Sequence, residues 1–162
     1  MKHTISILVE NHAGVLARVA GLFARRGFNI DSLAVGITED EKISRITIIA
    51  DGTAYTLEQI EKQLNKLIDV IKVRHLPAEE LLSRELVLIK VACQPSQRAE
   101  LISLEIAKAK ISDITVNTMT LELSDSVPRI KTFEELLRPY GIKETVRTGS
   151  IAMQKGGASM KL

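Results

Sequence analysis

The stretch Asn11–Val35, NHAGVLARVAGLFARRGFNIDSLAV, contains an apolar helix that opens at one glycine and closes at another, with an asparagine beyond each end. Leu16, Val19, Ala20 and Phe23 recur at helical spacing, while Arg18, Arg25 and Arg26 fall largely off that stripe. Gly27 is a natural C-terminal stop. Before the helix, Lys2–Val9 alternates Ile5, Ile7 and Val9 with Thr4, Ser6 and Leu8, the period-two pattern of a half-buried strand, and Glu10–Ala13 reads as a turn. After it, Asn29–Ile37 and Ile43–Ala50 read as strands joined across the charged turn TEDEK. Leu57, Ile60, Leu64 and Leu67 define a second helix and Val70–Leu76 a fourth strand, so the order is strand, helix, strand, strand, helix, strand.

Pro77 and the polar AEELLS interrupt the pattern, and the same order then returns with different side chains. Its strands are expected at Glu85–Cys93, Ile111–Val116, Met119–Leu123 and Ile142–Met153. A helix over Gln97–Ala109 is expected to take Ser96 as N-cap, and its Leu101, Ile102, Leu104 and Ile106 spread round more than one face. Ile130, Phe133, Leu136 and Leu137 give the other helix, ending near Pro139. The fold class is therefore α+β, two ferredoxin-like βαββαβ units in tandem, antiparallel sheets with helices on one face. Residues 1–76 form the first unit, 77–83 a linker, 84–153 the second unit, and 154–162 (QKGGASMKL) a tail expected to be mobile. The first sheet has apolar residues in both phases, such as Leu8 with Val9 and Ile48 with Ile49. Its helix-free face therefore needs a cover, either the second unit or the sheet of a second copy in a homodimer.

Lys and Arg exceed Asp and Glu by only two, so no strong basic field announces a nucleic-acid or acidic-membrane partner. No apolar run approaches the roughly 20 residues that cross a bilayer, and no cleavable apolar segment follows Met1. Cys93, the only cysteine, sits in an apolar run and reads as a small buried hydrophobe. These features suit a cytoplasmic protein with neither a membrane nor a nucleic-acid partner. RNA-binding sheets of this type stack bases on aromatic residues, whereas this chain has three Phe and two Tyr, with Phe23, Phe28 and Phe133 better used in cores.

No catalytic constellation is legible. His3, His12 and His75 share no helical spacing that would make a metal pair, and His12 reads as an exposed turn residue. Gly14, Gly21 and Gly27 are spaced wrongly for a dinucleotide fingerprint, and no Walker-type loop exists. The expectation is a noncatalytic chain without a metal site or cofactor of its own. What remains is a strand that turns into a helix whose first amides are free and positive, an arrangement suited to a carboxylate. Gly14 lets a ligand approach that backbone, Val15 and Leu16 flank it with apolar side chains, and Asn11 and Asn29 offer acceptors for an amino group. That describes an amino-acid pocket, although Asn and Gly are equally the ordinary residues of turns and helix ends.

NHAGVLARVAGLF followed by RRGFNIDSLAV and SRITI resembles the regulatory small-subunit family of acetohydroxyacid synthase, also called acetolactate synthase. EQIEKQLNKLIDVIKV and SRELVLIKV extend the likeness along the chain, and the first unit resembles an ACT domain, a module that binds amino acids between two copies. A generic ACT turn often has Asp and Pro where this chain has Asn11 and Ala13; the asparagine agrees with the small subunits. The resemblance implies a homodimer that stimulates a separate catalytic large subunit and confers feedback by L-valine. Thiamine diphosphate, Mg and FAD are implied for that catalytic subunit alone. It also implies an effector site made by Asn11, Gly14, Val15 and Leu16 of one protomer with Asn29, Ile30 and, on the apolar side, Leu33 of the other. An ACT-type sensor controlling a different enzyme or a transcription factor is the alternative reading.

Overall fold

A computed structural model describes residues 1–103 and 109–161. They form two compact units, Met1–Leu82 with Ser150–Leu162, and Ser83–Gly149. In the first, β1 (Lys2–Glu10), α1 (Val15–Arg25), β2 (Ile30–Ile37), β3 (Ile43–Asp51), α2 (Ala54–Leu64) and β4 (Val70–Leu76) follow in the expected order. The antiparallel sheet runs β2-β3-β1-β4, so β1 and β3 are central and β2 is an edge. Ile5, Ile7 and Val9 of β1 and Ile46, Ile48 and Ala50 of β3 face the helices and are buried, since alternate residues of a strand share a face.

The helix stripe is rotated from the expected one. Val15, Val19, Leu22 and Phe23 are buried, whereas Leu16 is 42% exposed. Both sets satisfy the helical period, so the rotation is chosen by how the helix is docked on the sheet and not by the pattern alone. At the C-terminal end, Gly27 (φ 69°) donates to Ala24 O at 3.1 Å and Phe28 N to Phe23 O at 3.0 Å. This paired closure needs a left-handed residue after the helix, and the Phe23 and Phe28 rings meet edge-on across it, 6.4 Å apart. The second helix is capped by Thr53, whose hydroxyl accepts from Thr56 N at 3.2 Å.

The second unit repeats the topology with β5 (Leu81–Ala92), α3 (Arg98–Ser103), β6 (Lys110–Ile114), β7 (Thr118–Asp125), α4 (Val127–Leu137) and β8 (Ile142–Arg147), its path running β6-β7-β5-β8. Val87, Ile89, Val91 and Cys93 meet Met119, Leu121, Leu123, Ile130 and Phe133 in its core. Cys93 is thus the buried small residue expected, while Leu136, one of the apolar residues that mark α4, is exposed. The helix expected over 97–109 is described only as α3; Leu104 and Ile106 lie outside the described residues. Gln94 and Gln97, with Gln94 N donating to Gln97 Oε1 at 3.1 Å, cap the 3-10 turn Pro95–Gln97 that leads into α3, and Ser96, the expected cap, lies inside that turn.

The expected last strand is broken. β8 ends at Arg147, and β9 (Ile151–Gln154) belongs to the first unit, where it crosses the helix-free sheet face. Arg45 joins β1 to β9, donating to Ser6 Oγ and to Ala152 O, each at 2.8 Å. Arg74 donates to Gln154 Oε1 at 3.3 Å and Ser159 O at 3.2 Å, and Lys72 to Lys161 O at 2.6 Å. The segment expected to be a mobile tail therefore begins inside a strand and is hydrogen-bonded to the sheet. Burial, reinforced by the neighbouring Arg74 charge, holds the Arg45 guanidinium below its ordinary value. Residues from Ser150 onward, β9 included, thus hydrogen-bond to side chains of the helix-free face. Among the described residues no helix is long and apolar enough to cross a membrane.

Candidate functional site

At the end of β1 the chain turns through Asn11–Gly14 into α1. Gly14 has φ 90°, a conformation that side chains strain, and occupies the N-cap position without a side-chain cap. Its carbonyl accepts from Arg18 N at 3.0 Å. The amides of Leu16 and Ala17 have no partner among the described residues, so the helix presents two free donors and its positive end. Val15 is 3% exposed and belongs to the core, leaving only its backbone for a ligand. Leu16 stands out beside the free amides.

The loop is fixed from two sides. Asn11 donates from N to Lys42 O and from Nδ2 to Glu41 O, each at 2.7 Å, which ties it to the β2–β3 hairpin. On the other side stands Asp69, at the start of β4: it accepts from Arg18 Nε at 2.5 Å and lies 3.0 Å from His12 Nε2. The hydrogen bond from Arg18 holds the Asp69 carboxyl below the usual carboxylate range, with the charges of Arg18 and His12 adding to it. His12 has acceptors at both ring nitrogens: Ala13 O lies 3.1 Å from Nδ1, and Glu10 Oε2 lies 3.3 Å from Nε2. The Ala13 carbonyl first, then Asp69 and Glu10, raise its pKa above the ordinary value. Glu10, His12 and Asp69 bring one ligand atom each within 4.8 Å of one another. Arg18 on the second Asp69 oxygen makes this an ion-pair cluster that shapes the loop. His12 is the exposed turn residue that the sequence leads one to expect, but its pairing with Asp69 is not legible there; a lone acid between Ile68 and Val70 is the available signal.

The remaining candidates lie elsewhere. Asn29 precedes β2 and donates from Nδ2 to Asp31 Oδ1 at 2.8 Å. Neither Asn11 Oδ1 nor Asn29 Oδ1 has a partner among the described residues, so each keeps an acceptor for a ligand. Ile30 and Leu33 are half-buried against the first core. Ile30 pairs with Ala50, which pairs with His3, whereas Glu10 pairs with Ile43 at the other end of the sheet. From His3 to Glu10 at ~3.3 Å per residue is roughly 23 Å. One chain therefore groups Asn11, Gly14, Val15 and Leu16 at one end of its sheet, and Asn29, Ile30 and Leu33 towards the other.

Comparison with known proteins gives this arrangement a family. A family described as "AHAS small subunit-like ACT domain" matches residues 5–72, and one described as "Small subunit of acetolactate synthase" matches residues 84–156. A probable acetolactate synthase small subunit of Archaeoglobus fulgidus is 50% identical over 157 residues, covering 96% of this chain and 98% of that protein. The chain belongs to the acetolactate synthase small-subunit family. A probable acetolactate synthase small subunit of Methanothermobacter thermautotrophicus is 51% identical over 160 residues, covering 98% of this chain and 95% of the relative. The crystal structure of the acetolactate synthase small subunit from Thermotoga maritima superposes with a TM-score of 0.90 at 38% identity, covering 98% of this chain and 99% of that one. The candidate residues all lie in the part matched as the small subunit's ACT domain, and members of the family are regulatory rather than catalytic subunits.

Proposed function

We propose that this small subunit works as a homodimer that stimulates the catalytic subunit of acetolactate synthase and lets L-valine restrain it. The observation that carries the reading is the division of the candidate residues between the two ends of one sheet, with Ile30 and Leu33 on its edge strand β2. If two β2 strands pair antiparallel about a two-fold axis, the Asn29 end of one protomer meets the Asn11–Leu16 end of its partner, and the half-sites become two whole ones. The strand is suited to such pairing: among the described residues its outer edge carries no strand, and Val35 and Ile37 are 47% and 65% exposed.

In the completed site, the free amides of Leu16 and Ala17 take the valine carboxylate, the Oδ1 atoms of Asn11 and Asn29 take the ammonium, and Leu16, Ile30 and Leu33 enclose the branched tail. Gly14 allows the close approach, and Val15 contributes backbone. Nothing in this chain is asked to perform chemistry; thiamine diphosphate, Mg and FAD belong, on this reading, to the catalytic subunit. A ligand bound between protomers regulates when it favours one arrangement of the interface over another, and a differential affinity of about 1–3 kcal/mol suffices.

The test is the rate of acetolactate formation from pyruvate by the catalytic subunit, with and without this chain, across a valine titration. Stimulation that valine reverses is the expected result. No stimulation of a demonstrably active catalytic subunit defeats the proposal.

A further inference from the structure

Ser32 lies on β2 two residues beyond Ile30, on the sheet face opposite the helices, and its Oγ accepts a hydrogen bond from Ser150 N at 2.9 Å. Ser150 is 1% exposed and follows directly on Gly149, the last residue of the second unit. From it the chain continues into β9, which Arg45 holds at Ala152 O. Between Ile30 and Ser32 the pairing of β2 with β3 shifts register, so Asp31 stands in a bulge. Asp31 in turn receives the Asn29 side chain and lies 3.4 Å from Lys2 Nζ.

We infer that Ser32 carries the effector signal out of the pocket, passing a shift at Asn29 and Ile30 through the bulge to the segment that leaves the second unit. The inference rests on the valine-binding reading above and adds how that site is heard. Two features single out this junction. A bulge is where a strand changes register locally without losing its remaining pairs. The Ser150 hydroxyl, moreover, is buried with no hydrogen-bond partner among the described residues, although buried hydroxyls are ordinarily paired. On this inference the Ser32–Ser150 hydrogen bond is kept in one arrangement and altered in the other, which is what a ligand needs in order to bias one against the other.

The test uses full-length Ser32→Ala and Ser32→Thr with the catalytic subunit, reading valine binding by calorimetry, inhibition by valine, and hydrogen exchange over residues 148–154. Ser32→Ala is expected to stimulate normally and to bind valine within about threefold of the unmodified chain. Its inhibition at saturating valine is expected to fall by at least about fivefold. Valine should change exchange at residues 148–154 in the unmodified chain and in Ser32→Thr, which keeps the hydroxyl, but not in Ser32→Ala. Full inhibition in Ser32→Ala overturns the inference, and so does loss of valine binding there, which makes Ser32 part of the pocket. An unmodified chain that does not bind valine instead defeats the effector reading itself.

Discussion

Asp69 accepts a 2.5 Å hydrogen bond from Arg18 and so pins the first turns of α1 to the start of β4, across 51 residues of sequence. Its other carboxylate oxygen meets His12, so one buried acid organises both the loop and the helix that frame the free amides. Asp69→Ala is expected to loosen that frame: the melting midpoint falls by a few degrees, and the valine concentration for half-inhibition rises more than stimulation falls. Thermal scans and inhibition curves on the same preparation check both. An unchanged half-inhibition concentration would make Asp69 purely structural.

The same cluster sets a pH dependence. His12 has its pKa raised in the folded chain, chiefly by the Ala13 carbonyl, so folding favours its protonated form. The stability it contributes is complete below the ordinary value of 6.5 and disappears as the pH rises through the folded value. Asp69 has the opposite sign. Its pKa is depressed, so its contribution is present above the ordinary carboxylate value and is lost as the pH falls through the folded one. Melting midpoints of the unmodified chain and His12→Gln, measured from about pH 6 to 9, should converge as the pH rises.

Gly14→Asp places a carboxylate beside the free amides of Leu16 and Ala17. Valine half-inhibition is expected to rise at least about tenfold, the order of one lost charge-assisted hydrogen bond, with stimulation retained. Because φ is 90°, any side chain here is strained by about 1–2 kcal/mol, and Gly14→Ala measures that part alone. Equal effects of Ala and Asp on the valine response would remove the carboxylate argument.

A site divided between protomers predicts complementation. Asn11→Ala and Asn29→Ala homodimers should each bind valine poorly, whereas a heterodimer of the two has one site with both asparagines intact and one with neither. Differently tagged chains, refolded together and purified as heterodimers, should therefore recover one valine per dimer by calorimetry. If both asparagines serve one ligand within a single chain, recovery is absent.

In the second unit, Arg147 grips Glu85 with two hydrogen bonds, 3.0 and 2.8 Å, and the Glu85 side chain is 6% exposed. Arg147→Met leaves that carboxylate unpaired and should lower the unfolding free energy by about 2–3 kcal/mol in a denaturant titration. Adding Glu85→Leu should recover part of the loss, since no buried charge then remains alone.

Much of this molecule is written locally. The alternation of Ile5, Ile7 and Val9, the helical run from Val15 to Phe23, the stop at Gly27 and the return of the same order after Pro77 are short-range patterns. Secondary structure and fold class follow from them because the periods of strand and helix act over a few residues. The candidate residues around Gly14 were legible for the same reason: a glycine at a strand-to-helix turn frees backbone amides wherever the rest of the chain goes. Position across the sheet is a different kind of information. That Val15 and not Leu16 enters the core, that Asp69 reaches back to His12 and Arg18, and that Ser150 returns to Ser32 all depend on contacts between residues remote in sequence. The tail QKGGASMKL has no apolar period because backbone and polar groups hold it, bonded by Arg74 and Lys72, which leaves no hydrophobic trace in the sequence. The sequence by itself determined the order of the elements in the first unit, the family, and the placing of Asn11 and Asn29 beyond opposite ends of one helix; only the tertiary structure decided that the last strand breaks and that its second half, β9, returns to the first unit, because strand pairing joins distant segments and is not a property of either segment alone.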